Sequence, residues 1–185
     1  MSYSNFQREK VFVCKDFLNP SRASELSNLF VDYCNAIGAA GDSMVYSSKS
    51  VYVYKPFQEI LYDKVHHMNA LLGIKVLPTY SFARVYLNGA ILSPHLDRDA
   101  CEISVTLNLS KDVDWPIYFG EPGKNEIPVE LLPGEAAIYL GRDVVHWRNE
   151  YQGQRHVQVF LHYVNSAGPF ANHVNEEDCL SRYGS

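Results

Sequence analysis

The stretch Tyr86-Leu-Asn-Gly-Ala-Ile-Leu-Ser-Pro-His95-Leu-Asp97 sets an imidazole and a carboxylate two residues apart. On an extended strand, side chains i and i+2 leave the same face, so His95 and Asp97 can converge on one point. Both are metal donors, but two protein ligands hold an ion weakly. The best third donor is His146, 49 residues past Asp97 in the strand-like run Asp143-Val-Val-His-Trp. Two imidazoles and one carboxylate on one face of a metal leave its other positions open to small molecules. A His-x-Asp alone is common by chance, so its surroundings carry the weight.

Arg155 is the next residue with a chemical implication. It opens the run Arg155-His-Val-Gln-Val-Phe-Leu-His-Tyr-Val. Strict alternation puts it on the face of Val157, Val159 and Leu161. A guanidinium on an apolar face either snorkels from the strand end or meets a buried anion, and a bidentate carboxylate would satisfy it. Neutral imidazole and carboxylate suit Fe(II), and the scattered cysteines do not form a structural zinc set.

His95-Leu-Asp97, His146 and Arg155 nine residues later, preceded by Tyr86-x-x-Gly89, resemble the Fe(II)/2-oxoglutarate-dependent dioxygenases, prolyl-hydroxylase-like branch. Leu132-Pro-Gly-Glu-Ala-Ala-Ile-Tyr also matches that family's run before the second histidine. The likeness spans about Tyr80 to Val164. It implies a double-stranded β-helix with His95, Asp97 and His146 on Fe(II), and Arg155 with the Tyr86 hydroxyl on the distal carboxylate of 2-oxoglutarate. It also implies O2 as oxidant, succinate and CO2 as co-products, and hydroxylation of a protein side chain, prolyl among the options, or of a small molecule. Asn108 or Thr106, on the polar face of Glu102–Leu109, could reach the cosubstrate's other carboxylate, with solvated strand positions the favoured alternative. Arg84, which shares strand parity with Tyr86, Arg98 on the rim and Trp147 beside His146 are candidates for substrate contact, with an edge position an equal reading for Arg84 and packing the favoured one for Trp147. His66, His67, His156, His162 and His173 are expected to be structural or exposed.

The elements that must position these groups follow from periodicity. Residues 1–8 are polar and expected to fray. Lys10–Phe17 reads as a strand. Asn19-Pro20-Ser21 opens a helix carrying Leu26, Leu29, Phe30, Tyr33 and Ile37 at helical spacing, and a second helix runs from Pro56 to about Leu72. After Pro78 the period becomes two, with strands at Tyr80–Leu87, Glu102–Leu109, Trp115–Phe119, Ala136–Leu140, Val144–Arg148 and Arg155–Val164. The fold expected is α+β, mainly β: a jelly-roll, cupin-like double-stranded β-helix with two supporting N-terminal helices. One domain is expected, with supporting elements over 10–75, the core over 79–165 and a tail over 166–185. The stretches 42–54 and 112–125 could close the site, and the Ser/Tyr-rich first is the favoured cover.

Composition bounds the class. An apolar share of 46% supports a packed core, and a net charge of −5 disfavours nonspecific nucleic-acid or membrane-surface binding. Cys14, Cys34, Cys101 and Cys179 form no C-x-x-C pair and read as free thiols in a reducing compartment. No apolar run has signal-peptide or transmembrane character, so a cytoplasmic protein is expected; oligomeric state stays open. Two alternatives remain beside the oxygenase reading: a cupin-like metalloenzyme without 2-oxoglutarate, and a noncatalytic β-sandwich binding module.

Overall fold

From Val76 onward, alternating side chains are buried on both faces, and the chain folds into two antiparallel sheets that enclose an interior. The computed structural model describes residues 2–174. The Asn175-Glu-Glu-Asp stretch and Cys179 lie outside the described residues. The larger sheet holds β1 (Val11–Cys14), β2 (Ser48–Tyr52), β3 (Val76–Leu87), β5 (Ile103–Lys111), β8 (Ala136–Tyr139) and β10 (Arg155–Asn165), in the order β1-β8-β5-β10-β3-β2. The smaller sheet holds β4 (Leu92–His95), β6 (Ile117–Glu121), β7 (Asn125–Val129) and β9 (His146–Arg148), in the order β4-β9-β6-β7. From β3 to β10 the chain passes repeatedly from one sheet to the other, which is the winding of a double-stranded β-helix.

The two faces of the larger sheet do different work. Val157, Val159 and Leu161 of β10 point outward into a cluster with Phe30, Phe57 and Leu61 of the helices. Each such aromatic or aliphatic side chain stabilises the fold by roughly 1.5–3 kcal/mol on full burial. Phe160 points the other way, inside the barrel with Tyr86, Leu92 and Trp115. The helices covering the outer face are α2 (Pro20–Ala36), α3 (Lys55–Asp63) and α4 (Val65–Leu72). Asn19 caps α2 by accepting the Ser21 amide hydrogen, and Tyr163 Oη ties β10 to α3 by donating to the Leu61 carbonyl at 2.9 Å.

Four local expectations are corrected. Residues 3–9 form a helix, α1 (Tyr3–Glu9), because Ser2 caps it and Phe6 anchors it in the core. The expected second helix is broken at Lys64, whose ammonium lies 4.7 Å from the Phe17 ring centroid and donates to the Phe17 carbonyl. The buried stripe of α2 is Ala23, Leu26, Ser27, Phe30 and Cys34, while Leu29, Tyr33 and Ile37 are exposed. Asn125–Val129, expected in a loop or its flank, is β7, an edge strand paired with β6. Among the described residues no helix is long and apolar enough to cross a membrane.

Candidate metal centre and its cavity

His95 ends β4 and His146 begins β9, and the two pair directly across the smaller sheet. Their ring centroids lie 4.2 Å apart. Asp97, just past β4, turns one carboxylate oxygen toward both: Oδ1 is 3.7 Å from His95 Nε2 and 3.5 Å from His146 Nε2. All three donor atoms lie within 4.8 Å of one another.

Hydrogen bonds prepare these rings as ligands. His95 Nδ1 lies 2.9 Å from the Ser93 carbonyl, and His146 Nδ1 lies 3.1 Å from the Val144 carbonyl. A carbonyl can only accept, so each Nδ1 is the donor, which leaves Nε2 as the ring atom turned toward Asp97. Burial, and then the charge of His146, lower the pKa of His95 and favour its neutral form. For Asp97 burial acts upward, but His146 and the Ser104 hydroxyl outweigh it, and the carboxylate stays ionised. Ser104 Oγ donates to Asp97 Oδ2 at 2.8 Å and lies 3.0 Å from His162 Nδ1. The Asp97 amide donates to the Gly141 carbonyl at 2.8 Å, fixing the backbone as well. The donor set therefore fits a divalent metal on donor type, convergence and support.

Asp97 could also be grouped with Cys101 and His162. That set is already occupied by hydrogen bonds: His162 Nδ1 meets Ser104, and Cys101 Sγ lies 3.0 Å from Tyr80 Oη.

A cavity of about 300 Å³ opens beside the triad. Tyr52, Tyr80, Phe82 and Phe160 give it an aromatic wall, Met44 and Leu96 an apolar rim, and Arg84 and Arg98 two guanidiniums. Arg84 is buried and ion-paired with Asp42, which also lines the cavity. Arg98 Nε donates to Tyr80 Oη at 3.2 Å, with its guanidinium 4.7 Å from that ring's centroid. The segment 42–54 contributes Asp42, Met44 and Tyr52 to the lining, whereas no residue of 112–125 does.

Of the residues singled out from sequence, His95, Asp97, His146, Tyr86, Arg84 and Arg98 meet at this cavity. Arg155 does not. It is exposed at the start of β10, in a separate hollow with Ser110, Lys111, Asp112 and Gln154. Its strand parity is that of Val157 and Val159, and that is the outward face. Trp147 also leaves the site: it is the odd residue between His146 and Arg148 and stacks on Tyr118 at 5.5 Å. Asn108 and Thr106 are fully buried rather than solvated, and neither lines the cavity. Asn108 Nδ2 lies 3.1 Å from His156 Nε2, and Thr106 accepts from Gln158 Nε2 at 2.7 Å. Sequence reasoning missed Ser104, Gly141, His162 and Tyr139, whose Oη lies 3.5 Å from His146 Nε2. They sit on other elements, with no local signature.

No family model matches the chain, and no curated protein sequence is significantly similar to it. Solved structures are similar in fold. A prolyl-4-hydroxylase of Pseudomonas putida superposes with a TM-score of 0.66 at 16% identity, over 88% of this chain and 96% of that one. A Trichoplax adhaerens prolyl hydroxylase, in complex with a hypoxia-inducible-factor peptide fragment, gives 0.68 at 13% identity over 97% and 90%. HygX of Streptomyces hygroscopicus, solved with nickel, 2-oxoglutarate and hygromycin B bound, gives 0.69 at 9% identity over 89% and 86%. The motif resemblance thus extends to the fold, a double-stranded β-helix shared with Fe(II)/2-oxoglutarate oxygenases.

Proposed function

We propose that this protein is an Fe(II)- and 2-oxoglutarate-dependent oxygenase that hydroxylates a protein side chain or a small molecule. The observation that carries the reading is the convergence of His95 Nε2, His146 Nε2 and Asp97 Oδ1, each prepared as a ligand, at the wall of an open aromatic cavity. His95, Asp97 and His146 would hold the metal by one face and leave its cavity side open. When bound, Fe(II) and 2-oxoglutarate would supply oxidation of a C–H bond by O2, with succinate and CO2 as co-products. The chain's own residues do the rest. The Ser93 and Val144 carbonyls orient the imidazoles, Ser104 orients Asp97, and the aromatic wall excludes water from the reacting face. Arg84 and Arg98, both on the cavity lining, are positioned to orient a substrate. A prolyl substrate is one member of the class this cavity can take.

One observation favours a second reading. Arg155, the cation expected for a dicarboxylate, faces away from the cavity. A metalloenzyme of the same fold that uses no 2-oxoglutarate would have no need of it. An anaerobic titration separates the two. The Fe(II)-loaded protein should develop a weak visible charge-transfer band with 2-oxoglutarate, and His146→Ala should lose it. Stoichiometric Fe(II) binding with no band at any 2-oxoglutarate concentration would leave the second reading standing.

A further inference from the structure

The barrel interior contains a second arginine, and this one has no counter-charge. Arg148 is 2% exposed. Its Nη groups donate once, to the Trp115 carbonyl, and its guanidinium lies 4.6 Å from the Trp115 ring centroid. Its Nε has no hydrogen-bond partner. Among the described residues no carboxylate is ion-paired with it, and Glu130, whose field reaches it, is bonded to Lys111. Arg84 differs here, because Asp42 neutralises it. A buried guanidinium without an anion is costly, since desolvation of the charge goes uncompensated.

The atoms around Arg148 share this incompleteness. Asn108 Oδ1 and His156 Nδ1 are also buried and without hydrogen-bond partners, and Tyr86 Oη, near the Arg84 guanidinium, makes no bond of full hydrogen-bond geometry. They form one layer of the barrel. Tyr86 pairs with His156 across β3 and β10, and Arg148 pairs with Leu92 across β9 and β4. Tyr86, His156 and Arg148 all pack on Trp115, at 4.9, 5.3 and 4.6 Å. Burial, and then Arg148 itself, keep His156 neutral, so the layer's formal charge is the single one on Arg148. Tyr86 and Leu92 also line the cavity beside the triad, whereas Arg148, which pairs with Leu92, does not. Arg148 stands two residues past His146 on one strand, hence on the same face and about 7 Å along it. A five-carbon diacid chelated at the triad would extend over that interval.

We propose that Arg148, not Arg155, receives the distal carboxylate of the α-keto dicarboxylate, with the Tyr86 hydroxyl as a second donor. This rests on the oxygenase reading above and deepens it. The anchor then lies on the same strand as the second histidine, and the layer selects dianionic over monoanionic keto acids because only a dianion supplies the missing counter-charge.

The test compares 2-oxoglutarate with pyruvate, which keeps the chelating end and lacks the distal carboxylate. Both are titrated anaerobically into Fe(II)-loaded protein and followed by the visible band. The wild-type chain should bind 2-oxoglutarate at least about 100-fold more tightly than pyruvate, the scale of a buried charge-assisted pair. Arg148→Met should lose most of that preference while pyruvate affinity stays within about threefold. Arg155→Met should keep it. If Arg148→Met retains the preference, or if Arg155→Met abolishes it, the assignment is overturned and the oxygenase reading survives. If Arg148→Met does not fold, Arg148→Lys serves: 2-oxoglutarate should weaken about tenfold with pyruvate unchanged, and unchanged 2-oxoglutarate affinity overturns the assignment. A wild-type protein that binds Fe(II) but gives no band with either keto acid overturns the 2-oxoglutarate reading and this inference together.

Discussion

The Gly141 carbonyl accepts the Asp97 amide hydrogen at 2.8 Å, while the Gly141 Cα faces the same residue's carboxylate so closely that a Cβ would overlap Oδ2. The Cys101 carbonyl and the Ser104 hydroxyl crowd the same spot. The metal-facing orientation of Asp97 thus depends on the absence of a side chain at position 141. Gly141→Ala should lower Fe(II) affinity by about 10–100-fold, the usual scale for groups that orient a ligand. Equilibrium dialysis with Fe(II) reads this directly, and wild-type affinity in the variant would show that Asp97 is held by other means.

Ser104 offers a gentler perturbation of the same carboxylate. Ser104→Ala removes the hydrogen bond to Asp97 Oδ2 and the contact with His162. Metal affinity should fall by about tenfold, and Ser104→Thr, which keeps the hydroxyl, should recover part of it. Equal affinity in the alanine variant would assign Ser104 to packing alone.

Two buried imidazoles make stability depend on pH. Burial lowers the pKa of His162 to about 4 and holds that of His156 well below its usual 6.5. Between the unfolded value near 6.5 and the folded values, the unfolded chain binds protons that the folded chain refuses. Stability is therefore full above about pH 6.5 and falls with acidification toward pH 4, by up to about 1.4 kcal/mol per pH unit for each ring. Urea midpoints at pH 7.5, 6 and 5 measure this, and His162→Gln should flatten the slope. A midpoint that does not change from pH 7.5 to 5 would contradict the account.

Periodicity paired His95 with Asp97, whereas the cosubstrate role of Arg155 came from the family resemblance and not from the strand pattern. A period of two says that Arg155 shares a face with Val157 and Val159, but not which face looks into the barrel. On β10 both faces are buried, one by helices and one by the interior, so the aliphatic run and the mixed run His156, Gln158, Phe160 and His162 are equally admissible. The interior face is the polar one. The same ambiguity made Thr106 and Asn108 look solvated. The break at Lys64 depends on its contact with Phe17, 47 residues away, and no window over the helix contains it. The paired edge strand β7 has weak apolar character and gains definition from β6.

The Asp42–Arg84 ion pair links the segment before β2 to the cavity wall. Met44 and Val45 amides also donate to Asp42 Oδ1, each at 3.0 Å. Asp42→Ala should free this segment and leave Arg84 without its counter-charge. Destabilisation of about 1–3 kcal/mol is expected, larger than that of the Asp42→Ala/Arg84→Met double substitution relative to Arg84→Met. If the segment covers the site, replacing 42–54 should abolish substrate oxidation while 2-oxoglutarate binding persists. Denaturant melts and the anaerobic band test the two halves, and loss of neither property would remove the segment from the account.

The most direct measurement of the central claim is succinate formation from 2-oxoglutarate by the purified protein with Fe(II) and O2, which needs no knowledge of the substrate. Slow, Fe(II)-dependent succinate production, lost in His146→Ala by at least about 100-fold, is the predicted result. Stoichiometric Fe(II) binding with no succinate above the His146→Ala background would contradict it.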